Sequence, residues 1–108
     1  MSISIYLSRP GFPTESASVV GNNELEQSWL PIVRLRGMHY LEHAFGAGLS
    51  INDENYKGVI GEAARLCDAL REQRSYEDDI TNPVYRCDRM LRLLNEYPPD
   101  SGVEVYIG

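Results

Sequence analysis

Residues 102–108 read GVEVYIG. In an extended chain Val103, Val105 and Ile107 fall on one side and Glu104 and Tyr106 on the other, the period-two alternation of a half-buried strand. A strand with one apolar face needs a partner and a cover, since two strands alone are marginal in water. Residues 2–7, SISIYL, alternate in the same way, with Ile3, Ile5 and Leu7 pointing one way and Ser4 and Tyr6 the other. The two stretches are expected to share one sheet. Tyr6 and Tyr106 then lie together on its solvent side, where cross-strand aromatic pairs help hold strands together. A third strand is expected at ASVV (17–20) or IVRL (32–35).

Between these strands the hydrophobic period becomes helical. Residues 8–23 contain Pro10, Gly11, Pro13 and Gly21 and read as a surface loop or partly extended arm. Asn22 or Asn23 suits the cap of a short helix over ELEQSWL. Pro31 suits the first turn of another helix, along which Leu35, Met38, Leu41 and Phe45 recur until Gly46 and Gly48 end the run. Asp53 is read as the cap of a longer helix with Tyr56, Val59, Ile60, Ala63, Cys67 and Leu70 on its apolar stripe. Gly58 and Gly61 inside it suggest close approach of another backbone. Glu62 with Arg65, and Asp68 with Arg71, read as pairs on its solvated side.

RSYEDDITN (74–82) is a polar connection. Thr81 or Asn82 caps a last helix with Pro83 just inside it. Val84, Cys87, Leu91 and Leu94 form its stripe, widened by Met90, with Asp88 and Arg92 paired outside. Pro98 and Pro99 stop it. The expectation is a single α+β domain over 1–108, with a small antiparallel or mixed sheet that includes both terminal strands, covered by three to four helices.

At 108 residues the chain is of single-domain size. Asp and Glu number 16 against 10 Lys and Arg, a net charge of −6. That balance repels phosphate backbones, so nucleic acid is not an expected partner, and it favours a basic protein surface. No run of about 18 apolar residues suggests a membrane span. MSISIYLSRPG lacks the basic and apolar regions of a secretory signal. A cytoplasmic location is therefore expected. In that reducing setting Cys67 and Cys87 read as small core residues, while their spacing leaves a disulfide open.

The most specific short motif is HYLEH (39–43), an H-x-x-E-H pattern. On a helix His39 and His43 lie one turn apart and can reach one zinc ion, with Glu42 as base on a bound water. The surrounding GMHYLEHAFGAG resembles the signature of pitrilysin-type metallopeptidases. That resemblance implies a zinc-dependent hydrolase with a glutamate further along as third ligand. Phe45, however, stands one residue closer to the second histidine than in that signature, and Glu62, Glu72, Glu77, Glu96 and Glu104 sit in no matching motif. At about 100° per residue both histidines fall to the flank of the apolar stripe, which places them near solvent.

Glu77, Asp78 and Asp79 lack the spaced oxygens and turn glycine of a calcium loop. With Tyr76 beside them they read as a solvated turn or as an acidic contact patch. Trp29 is expected in the core, with an interface anchor as the alternative. Phe12, between Pro10 and Pro13, is an apolar group on an exposed loop. No phosphate-binding loop, nucleophile elbow or C-x-x-C occurs.

The layout of MSISIYL, a helical middle and LLNEYPPDSGVEVYIG resembles small acidic bacterial proteins, including immunity proteins encoded beside secreted toxins. The resemblance implies a binding protein, not an enzyme and without a cofactor, that neutralises a basic toxin domain by occluding its active site. Tyr76, Glu77, Asp78 and Asp79, then Phe12, are the candidate contacts. The other readings are the zinc hydrolase and a homodimer formed through an exposed sheet edge.

Overall fold

The structure is a computed structural model and describes residues 2–73 and 83–108. β1 (Ile3–Ser8) and β4 (Glu104–Ile107) pair antiparallel, with Ile5 opposite Ile107, Tyr6 opposite Tyr106 and Leu7 opposite Val105. Ser4 and Gly108 exchange backbone hydrogen bonds of 2.9 and 3.0 Å and extend the ladder. Ile3, Ile5, Leu7, Val103, Val105 and Ile107 are buried as the alternation requires.

β2 (Glu15–Val20) returns along the other side of β1, and β3 (Leu49–Ser50) adds to β4. The sheet is antiparallel throughout, in the order β2-β1-β4-β3. ASVV thus lies inside a strand, while IVRL is helical. The expected arm over 8–23 is instead mostly hairpin. Val19 and Val20 close onto the core and make pairing worth more than exposure.

α1 (Asn22–Glu24), a π-helical turn (Leu25–Trp29) and α2 (Leu30–Leu35) follow one another as a single rod. Pro31 stands in the first turn of α2, as the sequence suggested, and the π-helical turn before it makes the rod continuous. A proline inside a helix has no N–H to donate and crowds the carbonyl four residues back. Widening the preceding turn relieves both problems, and the Leu30 N–H accordingly reaches Leu25 O, five residues back.

The expected continuous helix through Leu35 and Phe45 is instead two. Gly37 has φ +64° and breaks it. Met38 N–H donates to Val33 O at 3.0 Å, and α3 (His39–Gly46) leaves in a new direction. Leu35 therefore does not join the stripe and is 86% exposed, while Met38, Leu41 and Phe45 are buried.

α4 (Tyr56–Gln73) starts from Asn52 rather than Asp53. Asn52 Oδ1 accepts from the N–H groups of Glu54 (2.9 Å) and Asn55 (3.0 Å), and Asn55 Oδ1 accepts from Asn52 N–H at 2.9 Å. This reciprocal arrangement is a capping box. α5 (Pro83–Glu96) packs along α4 through Cys87, Met90 and Leu94, and the Tyr56 hydroxyl donates to Leu94 O at 3.0 Å. A 3-10 turn (Pro99–Ser101) and Gly102 lead into β4. Asp88 pairs with Arg71 at 2.6 Å, across helices, and not with Arg92. Arg71 also reaches Asp68 at 3.2 Å, as the sequence spacing suggested.

The four helical rods cover the apolar face of the sheet and enclose one core. Trp29 lies within it, its ring 5.8 Å from that of Phe45.

Candidate interaction surface

The side chains that alternate away from the core form the sheet's other face. Tyr6 and Tyr106 stand opposite each other there with ring centroids 6.0 Å apart. They are 38% and 39% exposed. Ser4, Ser16 and Ser18 on β1 and β2, Ser50 on β3 and Glu104 on β4 surround them. The four strands contain Glu15 and Glu104 and no Lys or Arg. The face therefore combines two large rigid rings, adaptable hydroxyls and a net negative charge. Tyrosine with serine is also the composition of antibody contact loops, where rings supply area at low entropic cost and hydroxyls adapt.

Tyr106 is held more firmly than Tyr6. Its ring lies over Gly48, whose φ is +93° and where an added Cβ would fall 1.8 Å from the hydroxyl oxygen. That hydroxyl also donates to Ala47 O at 3.4 Å.

Phe12 lies in the β1–β2 turn and is 69% exposed. Its N–H bonds Arg9 O at 3.2 Å, while Ser8 and Thr14 hydroxyls meet at 3.2 Å to close the turn. Tyr76, Glu77, Asp78 and Asp79 lie outside the described residues.

His39, Glu42 and His43 all fall on the exposed side of α3. Glu42 is 3.7 Å from Arg34 Nε. Among the described residues no group of three His, Cys, Asp or Glu side chains comes together to hold a metal ion. The arrangement presents two solvated histidines one turn apart.

The carboxylate that sequence reasoning misplaced is Glu62. It is 6% exposed, not on the solvated side, and it makes no pair with Arg65. Its Oε1 accepts from Leu41 N–H at 3.0 Å and its Oε2 from Tyr40 N–H at 3.4 Å. α3 has no side-chain cap of its own, so Glu62 supplies one from α4 and places negative charge at the helix's positive end. The signal was its spacing, three after Val59 and four before Leu66, on the buried stripe.

A cleft of about 530 Å³ runs between β2 and α5, with Ser18, Gly21, Tyr85, Arg86 and Arg89 in its walls. Both guanidiniums are engaged: Arg86 with Glu24 at 3.1 Å and Arg89 with Ser18 O at 3.2 Å. Arg89 thereby occupies a carbonyl at the sheet edge and blunts it against strand addition.

No described helix is long and apolar enough to cross a membrane. Comparison with known proteins finds no matching family, no similar curated protein and no similar solved structure.

Proposed function

We propose that this chain is a binding protein of the immunity type, which lays the open face of its sheet on a basic toxin domain and covers that domain's active site. The Tyr6–Tyr106 pair, exposed on an otherwise small and hydroxylated face, is the observation that carries this reading. Rigid aromatic rings at the centre of a contact surface are the residues on which binding energy concentrates. A net charge of −6 and strands without a basic residue complement a cationic partner and steer its approach. Phe12 extends the surface at its hairpin rim.

The test begins with the protein encoded beside this gene. Its affinity for this chain is measured at about 50 mM and about 500 mM salt, with rates, and its activity is followed in parallel. Binding is expected to inhibit activity and to weaken at high salt mainly through a slower on-rate. Tyr6→Ala is expected to weaken binding by roughly 30-fold, the scale of a hot-spot side chain. A neighbour that does not bind, or a Tyr6→Ala chain that binds as well as the parent, ends the proposal.

A further inference from the structure

Cys67 on α4 and Cys87 on α5 face each other inside the core. They are 1% and 0% exposed, and their sulfurs lie 2.7 Å apart, closer than unbonded sulfur atoms pack. The helices that carry them are fastened at two further points. Tyr56 reaches Leu94 O, and Arg71 grips Asp88. The partners are thus in place before any bond forms. The neighbouring Cys67 thiol and burial push the Cys87 proton toward staying bound, outweighing the opposite pull of Arg71. Among the described residues the pair belongs to no metal-binding cluster, and its buried face-to-face geometry points to a cross-link.

We propose that Cys67 and Cys87 are a disulfide-forming pair that staples α4 to α5, with a low-molecular-weight disulfide as oxidant. One cysteine, as thiolate, attacks the small disulfide, forms a mixed disulfide and expels one small thiol. The second cysteine, as thiolate, attacks the protein sulfur of that mixed disulfide and expels the other. One S–S bond is made and one broken. Two electrons pass to the small molecule, and the two cysteine protons end on the two small thiols. Because the folded chain seals both sulfurs from solvent, exchange takes place as the chain folds or opens. The bond closes a loop between positions separated by 20 in sequence, which restricts the unfolded chain. An oxidising compartment keeps the staple closed, and a reducing cytoplasm keeps it open.

The full chain is refolded from denaturant in a buffer of oxidised and reduced glutathione, quenched in acid, and alkylated in denaturant with and without reduction. The expected product is a monomer lighter by two hydrogen atoms, unlabelled before reduction and labelled at both cysteines after it. Two free thiols, stable glutathione adducts or disulfide-linked dimers would overturn the proposal. Cys67→Ser and Cys87→Ser should each abolish the mass loss. The bridged chain is then melted beside the same chain fully reduced, which requires no variant to fold. Bridging should raise Tm by about 10 °C, as expected for a loop of this length in a small domain. A bridged chain that melts at or below the reduced one overturns the staple.

Discussion

Glu62 Oε1 accepts a hydrogen bond from the Leu41 backbone N–H at 3.0 Å, so a side chain of α4 caps the start of α3. The kink at Gly37 leaves α3 beginning inside the fold, where its free N–H groups lack full access to water. Glu62→Ala removes the acceptor for two of them. A loss of about 1–3 kcal/mol is expected. Glu62→Gln retains one acceptor oxygen and should cost less. Urea unfolding of the three proteins, with equal slopes, checks the order.

Two glycines of α4 should respond oppositely to alanine. A Cβ at Gly61 meets nothing within 4 Å, so Gly61→Ala should add about 0.5–1 kcal/mol of stability through helix propensity. At Gly58 the new carbon would lie 2.4 Å from the Tyr40 ring. The close approach expected from the sequence is therefore real at Gly58, but it is made by a ring rather than a backbone. Gly58→Ala should cost about 1 kcal/mol, as over-packing outweighs propensity. In a Tyr40→Ala background the same change should become stabilising. A four-member cycle of urea midpoints tests this, and a Gly58→Ala effect independent of Tyr40 would contradict it.

In the reduced protein the Cys87 thiol is pushed above its ordinary value of 9.0, first by its hydrogen bond with Cys67 and then by burial. The folded chain holds this proton more tightly than the unfolded chain does. The resulting stability is fully present below about pH 9 and is lost progressively as pH rises beyond it. Urea unfolding of reduced protein between about pH 8 and about pH 10, compared with Cys87→Ala, should show a shallower decline in the variant.

The sheet was legible because one face of it is dry. Alternation in SISIYL and GVEVYIG sets both the strands and the side each residue takes, and a slip of one residue would turn Ile5 and Ile107 into solvent. The Tyr6–Tyr106 pair followed from the same alternation. The break at Gly37 was not legible, because Leu35, Met38, Leu41 and Phe45 keep helical spacing across a turn in which the backbone changes direction. Periodicity reports only which residues prefer burial, and Leu35 is left exposed. β3, two residues long, carries no alternation to detect. Glu62 was misread because its local pairing with Arg65 looked sufficient, while its partners lie 21 and 22 positions away in sequence.

The tyrosines of the open face should separate stability from recognition. Tyr106 is packed on Gly48 and Tyr6 is not. At Gly48 a side chain meets both a φ of +93°, disfavoured for L residues, and a ring that must move. Gly48→Ala is therefore expected to cost about 2 kcal/mol or more. Tyr6→Ala loses one cross-strand aromatic contact at an exposed position, worth about 0.5–1 kcal/mol. Thermal or urea unfolding of the two variants checks the contrast. If Tyr6→Ala proves as damaging as Gly48→Ala, Tyr6 is part of what holds the sheet together, and its exposure is no evidence of a docking surface.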